Sequence, residues 1–357
     1  MIELEARTTP SLWMSVLSPI IALAITVVVA GLLFAALGKD PVRGLSVFLV
    51  EPFHGTRALT ELGLKATPLI LISLGLALCY RSNIWNIGAE GQYLIGAIAG
   101  GWLALSVTNA GLAIPPWAFF PLAVVAGAIG GAAWAAIVAF LRDRFHASEI
   151  LVSLMLVYVA NLLLSYLVFG PWKDPNGFNF PQTVNFAKDT ELPRLMPGMR
   201  LHAGFLLALG AAVVMWAFMF RMYRGIQLQV GGPAPAAARY AGFSSRSALW
   251  TTLLLSGALA GVAGSFEVTG PMGQLTPYVA SGYGFTAIIV AFVGRLHPLG
   301  CVLASVLLSM FLIGGELAQS RVGLPSALSG VFQGVLLFSL LACDTFILFR
   351  PRWRRST

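Results

Sequence analysis

Charge is what this sequence of 357 residues has least of: Lys, Arg, Asp and Glu together make up 10% of it, against 58% hydrophobic residues. Soluble domains carry about 25% charged residues, so a water-soluble surface is excluded before any motif is read. Cysteine is scarce too. Cys79, Cys301 and Cys343 are odd in number, show no CxxC spacing and lie in or beside apolar runs, so they read as small core hydrophobes. Neither a disulfide framework nor a zinc site is expected. The four histidines, His54, His146, His202 and His297, are scattered without metal-ligand spacing. The sequence has no Gly-x-x-x-x-Gly-Lys-Ser/Thr to cradle a phosphate, no His-Glu-x-x-His and no Gly-x-Ser-x-Gly. No catalytic residue, cofactor or metal is therefore expected. The net charge of +8 does not imply nucleic acid, because the arginines flank apolar runs, where they meet anionic lipid headgroups and set orientation.

Long apolar runs are what the sequence has in abundance. Val16–Gly38, Ile150–Trp172, Ser247–Phe266 and Val322–Cys343 are each free of charge, and Gly91–Leu141 is a run of 51 such residues with a turn signal at Asn109 to Gly111 and Pro115-Pro116. A helix needs about 20 apolar residues to cross a bilayer core. The expected fold is an all-α polytopic bundle of about ten spans, near 16–37, 58–80, 91–108, 114–140, 147–170, 201–222, 248–266, 283–294, 299–317 and 325–349. The eighth is too short to cross unaided and reads as a half-helix or re-entrant segment. The first run is longer than a signal-peptide core, and its leader holds Glu3 and Glu5 beside Arg7, so it reads as an uncleaved span.

With the N-terminus inside, the inner segments hold 13 of the 22 basic residues, ending in the cluster Arg350, Arg352, Arg354 and Arg355. This predicts both termini in the cytoplasm, an outer loop at 171–200 and an inner loop at 223–247. Neither loop is long enough for a soluble domain, so the chain reads as a single membrane domain, 1–357, whose energy source lies in other chains. Four glycine pairs at i, i+4 (Gly96/Gly100, Gly127/Gly131, Gly257/Gly261 and Gly330/Gly334) allow close helix approach, either as fixed packing or as a sliding interface.

Three segments break the apolar pattern. Tyr80 to Tyr93 places Asn83, Trp85, Asn86, Gly88, Glu90 and Gln92 beside deeply apolar sequence. Such polar groups must be buried in protein or line a watery path; the plainer reading is a helix-connecting loop. A Glu90–Arg81 ion pair is one expectation there. Gly282 to Gly300 brackets a short apolar helix containing Tyr283 and Phe285 with glycines, and closes it with Arg295 and a His-Pro turn. Spans 2–5 and 7–10 run in opposite directions, each with a Gly-rich break near its start, which fits an inverted repeat. In the inner loop, Gly232, Pro235, Ala236, Ala237, Ala238, Arg239, Tyr240, Ala241 and Gly242 form a short helix with a proline start and a glycine stop. It reads as a handle for a partner or as a lipid-surface helix.

The blocks Asn86 to Gln92, Ala237 to Gly242 and Gly282 to Gly300, in that order, resemble the permeases of ATP-binding cassette (ABC) sugar and nucleoside importers, above all the longer of two paired permeases in nucleoside systems. The resemblance runs from about Leu62 to Ser339. It implies that 232–242 is the coupling helix docking on a cytoplasmic ATPase, although the family usually reads Asn-Pro-Glu-Ala-Ala where this chain has Ala234-Pro235-Ala236. It also implies a second permease subunit, paralogous or identical, and a periplasmic binding protein that delivers a nucleoside or simple sugar across a bacterial cytoplasmic membrane. The 83–92 and 283–295 residues are then expected at the translocation path or its inner gate. An ion-coupled secondary transporter is the rival reading, with Lys65, Glu149, Glu267, Glu316 and Asp344 as its few ionisable candidates.

Overall fold

The computed structural model describes residues 2–7 and 11–353, so Arg354 and Arg355 of the basic tail lie outside the described residues. Strand β1 (Ile2–Ala6) is followed by helices α1 (Leu12–Ala36), α2 (Pro41–Leu45), α3 (Thr56–Arg81), α4 (Ala89–Ala110), α5 (Pro116–Phe145) and α6 (Glu149–Phe169). Then come α7 (Gly204–Arg221), α8 (Tyr223–Gly231), α9 (Pro235–Tyr240), α10 (Ser245–Glu267), α11 (Tyr283–Val293), α12 (Pro298–Val322), α13 (Leu328–Leu348) and strand β2 (Phe349–Trp353). Among the described residues nine helices are long and apolar enough to cross a membrane. Of the ten expected crossings the eighth, α11, is indeed short: its 11 residues rise about 17 Å, roughly half a bilayer core.

The helices begin and end where the local chemistry dictates. Ser11, Ser148 and Ser244 cap α1, α6 and α10 by accepting backbone N–H groups of the first turn. Pro116 opens α5, and Gly111, at φ 61°, closes α4 in the left-handed conformation.

The chain divides into two compact units, one formed by described residues up to Leu59 and from Leu307 on, the other by Thr60–Val306. In the first, α1 packs along α13 around Phe34, Phe48, Phe311 and Phe332, whose rings meet at 5.1–6.5 Å, mostly edge to face. Strand β1 pairs antiparallel with β2, Ile2 opposite Trp353, and Glu5 bonds Arg350 at 3.0 Å.

The second unit is built around α10, which packs against α4 and α5. Glycine makes this possible. A Cβ on Gly96 would lie 2.2 Å from the Gly261 backbone, one on Gly131 would lie 2.1 Å from the Gly257 carbonyl, and one on Gly261 would lie 2.0 Å from the Gly127 carbonyl. The backbones touch, so dispersion contacts replace side-chain interdigitation. Ser265 adds a hydroxyl bond of 2.9 Å to the Ala123 carbonyl of α5. The fourth pair behaves differently: no atom lies within 4 Å of where a Cβ on Gly330 or Gly334 would sit, and both face outward from α13. The segment 171–200 is mostly irregular and is strapped to the stretch that follows α10, with Thr183, Phe186 and Leu192 donating backbone N–H groups to Leu275, Gly273 and Thr269. Just before α7, His202 is buried against Phe266 and accepts the Gly204 N–H through Nδ1; burial lowers its pKa to about 4 and keeps the ring neutral.

Gly131→Ala and Gly261→Ala should each destabilise the detergent-solubilised protein by about 1–3 kcal/mol through overpacking. Gly334→Ala should stay within about 0.5 kcal/mol of wild type. Thermal unfolding of the three variants checks this, and equal shifts in all three would show that spacing alone, not contact, had been read.

Candidate functional site

The polar break between α3 and α4 is a tightly bonded turn. Asn83 takes a left-handed backbone at φ 54°, and Ile84 to Ile87 then run without helix before Gly88 leads into α4. Asn86 is fully buried, and its amide is saturated. Its Nδ2 donates to Gln92 Oε1 at 2.9 Å and Ser256 Oγ at 3.0 Å, while its Oδ1 accepts Gln92 Nε2 and the Gly88 N–H, both at 3.1 Å. Such complete satisfaction lets a polar pair persist in an apolar bundle. Gly88 has to be glycine, because a Cβ there would lie 2.8 Å from Ser153 Cβ.

Glu90, 3% exposed, accepts the N–H groups of Gly282 at 2.9 Å and Gly284 at 2.6 Å. The carboxylate thus satisfies two orphan donors at the start of α11, where a helix favours negative charge. Gly284 permits the approach, since a Cβ there would come within 2.3 Å of the Glu90 nitrogen. The expected Glu90–Arg81 pair does not form. Glu90 is committed to the N-terminus of α11 and Arg81 to its other end, where Nε donates to the Leu296 carbonyl at 2.7 Å. Arg81 Nη1 also donates to Gln229 Oε1 of α8 at 2.8 Å, with the guanidinium 5.1 Å from the Phe220 ring centre. Arg295 and Leu296, both at positive φ, make the tight turn into α12. Tyr80, Trp85 and Phe292 stack between these grips at 5.2–6.4 Å, with Trp85 half exposed. Tyr283 is buried and Phe285 is 42% exposed.

The inner loop holds two helices where one was expected; α8 escaped notice because nine residues show barely two repeats of an apolar face, marked only by buried Gly225 and Leu228. Gly232 belongs to the end of α8, and a Cβ on it would lie 2.5 Å from the Arg81 carbonyl and 2.8 Å from Ser82. Helix α9 begins at Pro235, buries Ala238, and leaves Ala236, Ala237, Arg239, Tyr240 and Ala241 outward, Tyr240 at 96% exposure. Gly242, at φ 79°, ends it in the left-handed conformation. Beside α9 lies a cleft of about 470 Å³ that reaches from Asn83 to Arg142 and Arg224. Its rim is braced by ion pairs of Arg142 with Glu149 at 3.1 Å and Arg246 with Asp143 at 2.7 Å. Sequence reasoning missed Ser153 and Ser256, small polar residues inside apolar helices, and Gln229 on the polar inner-loop helix α8, because the role of each exists only through a distant partner.

A multi-pass helical bundle whose polar residues gather at a bonded break, tied directly to an exposed loop helix, defines a membrane transport subunit. The chain belongs to the family described as branched-chain amino acid transport system, permease component, whose model matches residues 58–341. It is similar to the glucose ABC transporter permease protein TsgB13 of Haloferax volcanii, at 35% identity over 98% of this chain and 93% of that one. It is also similar to the guanosine ABC transporter permease protein NupP of Bacillus subtilis, at 30% over 90% and 91%. The nucleoside ABC transporter permease protein NupB of Lactococcus lactis matches at 26% over 90% of each chain. The chain is accordingly the permease subunit of an ABC importer.

Glu90→Gln keeps the side chain's size and one acceptor oxygen but removes the charge shared by two N–H groups, a loss of about 1–3 kcal/mol. Uptake by the assembled transporter should fall several-fold while the subunits still co-purify. Normal uptake would show that an amide holds α11 as well as a carboxylate does.

Proposed function

We propose that this permease passes a sugar or nucleoside, delivered to its outer face by a binding protein, and that a separate cytoplasmic ATPase drives it through residues 232–242. The observation that carries this reading is the seating of Gly232 against the backbone of Arg81 and Ser82. Only the short turn Pro233-Ala234 separates α9 from Gly232, so a push on α9 has a short path to the polar break. From there Arg81 passes displacement to the α11–α12 turn, while Gln229 ties the same guanidinium to α8. The exposed face of α9 is small and mostly alanine, which suits close docking in a protein cleft better than lipid anchoring. ATP chemistry belongs to the partner, since the chain has no phosphate-binding loop. A second permease subunit, paralogous or identical, completes the pathway, and no cofactor is required.

The β1–β2 pairing supports both chain ends on one side of the cell's cytoplasmic membrane, and the arginine bias supports the inner side. An even number of crossings then needs a tenth passage besides the nine long helices, which α11, too short alone, makes only together with the 277–282 segment before it. The outer segment 171–200 is then the surface that meets the binding protein.

Arg239→Glu should weaken ATPase binding or uncouple hydrolysis from uptake, because a charge-assisted contact of about 1.5–3 kcal/mol becomes repulsive. Gly242→Val should act likewise, since a β-branched residue resists the left-handed cap. Uptake and ATP hydrolysis are measured in proteoliposomes holding the whole complex. Unchanged coupling in both variants would place the ATPase elsewhere on this face, Arg142 to His146 first.

A further inference from the structure

One flank of α6 is polar and open at the depth where a membrane-crossing helix tolerates this least. Between Glu149, which pairs with Arg142 at the first turn, and Phe169 the helix holds no charged side chain. Ser153, Val157, Ala160, Leu164 and Val168 form its buried stripe, and the rest is largely apolar and exposed, Leu162 at 70%. The exception is the flank of Tyr158, Asn161 and Ser165, whose i, i+3, i+7 spacing aligns them along about 10 Å of the helix. Asn161 is exposed and sits about 18 Å from one end of this 21-residue helix and about 12 Å from the other. Tyr158 is 60% exposed and Ser165 is half-buried. None of the three has a hydrogen-bond partner among the described residues. Elsewhere in the spans such groups are satisfied: Thr67, Thr252 and Ser305 each donate to the carbonyl four residues back at 2.7–2.8 Å, and Asn86 is saturated.

We propose that this flank is a specificity-determining contact for the imported solute, on the wall of a path that a second permease subunit closes. Hydrocarbon offers no partner to an unbonded amide or hydroxyl, so a carboxamide halfway through a span belongs on a watery path rather than in lipid. The amide offers donors and an acceptor, and each hydroxyl can do both. The Tyr158 ring adds an apolar face against which the C–H side of a sugar or a base can pack. No cation or carboxylate lies on α6 beyond Glu149 to match a charged solute. A neutral, hydroxyl-rich ring such as a sugar or the ribose of a nucleoside therefore fits. The ammonium and carboxylate of a free amino acid, the solute in the family's description, would find no counter-charge there. The assignment deepens the transport reading above and rests on it. The same helix also meets the polar break: Ser153 Oγ accepts the Ile87 N–H at 3.3 Å, and a Cβ on Gly88 would lie 2.8 Å from Ser153 Cβ. The wall is thus joined to the segment flanked by Arg81 and Glu90.

The test uses the complete complex in proteoliposomes with labelled glucose, guanosine and leucine as probes. Asn161→Leu, which keeps the side chain's size, should slow uptake of the hydroxylated probe about tenfold at saturating binding protein. Asn161→Gln keeps an amide and should recover part of that loss. Should the leucine variant fail to assemble, Asn161→Cys supplies an independent readout. It should react with a charged, water-soluble methanethiosulfonate, because a wetted cysteine forms the reactive thiolate, whereas the native Cys79, Cys301 and Cys343 are buried. Labelling should slow at least about threefold when the transported sugar or nucleoside is added, and leucine should give no protection. An unreactive Asn161→Cys, covered by lipid or by the second subunit, would overturn the assignment. So would normal uptake by Asn161→Leu, or labelling indifferent to a solute that is still imported; each of these leaves the importer reading intact. A wild-type complex that imports leucine and neither hydroxylated probe would overturn the substrate reading and the contact with it.

Discussion

The constraint on which the rest depends is the tethering of α11 at both ends by one interhelical break. Eleven residues cannot cross a bilayer core, so the backbone groups at the helix ends must be satisfied by protein. Glu90 supplies that at the N-terminus and Arg81 reaches the carbonyl of the turn that follows; Arg81 ends α3 and Glu90 lies in the first turn of α4, so the two flank a single break. The glycines around them are consequences of this arrangement. Gly284 and Gly88 are bare because backbone passes where a side chain would stand. The saturated Asn86–Gln92 pair keeps the break from rearranging to solve its own hydrogen bonding.

Beside this tether stands a different kind of packing. Helices α4, α5 and α10 meet through glycine backbones with no room for adjustment. A close-packed group of this sort resists deformation, since small shifts produce clashes rather than new contacts. On the proposed coupling, force entering at α8 and α9 would reach α11 through the turn held by Arg81, which bonds both Gln229 and Leu296. The same helix carries Tyr283 to the wall of a second, smaller polar cavity.

Much of this was legible in the sequence for a physical reason: lipid permits few ways to hide a backbone. Charge-free runs had to be spans, the short run at 283–294 had to be incomplete, and glycine beside polar residues had to mark the break. The proline start and glycine stop of α9 are local signals, so its limits were readable as well. What stayed hidden was partnership. Glu90 and Arg81 lie nine positions apart and carry opposite charges, so sequence favoured their pairing, whereas the fold gives each to a different end of α11. Lys65 and Glu267 were visible as isolated ionisable residues, but nothing local says that they share a cavity. The glycine pair Gly330/Gly334 shows the converse limit, since a spacing that packs three helices leaves a fourth facing open space.

The central claim is that displacement of the inner loop reaches α11 through the Arg81 fork. The most direct measurement is the number of solute molecules imported per ATP hydrolysed by the reconstituted complex carrying Arg81→Lys. Lysine keeps the positive charge but lacks the fork that bonds Gln229 and Leu296 together. Loss of one charged hydrogen bond, about 1.5–3 kcal/mol, should lower the ratio by about tenfold or more while α9 and ATPase binding stay as they are. A ratio equal to that of the wild type, with the complex assembled and hydrolysing ATP, would show that motion reaches the pathway by another route.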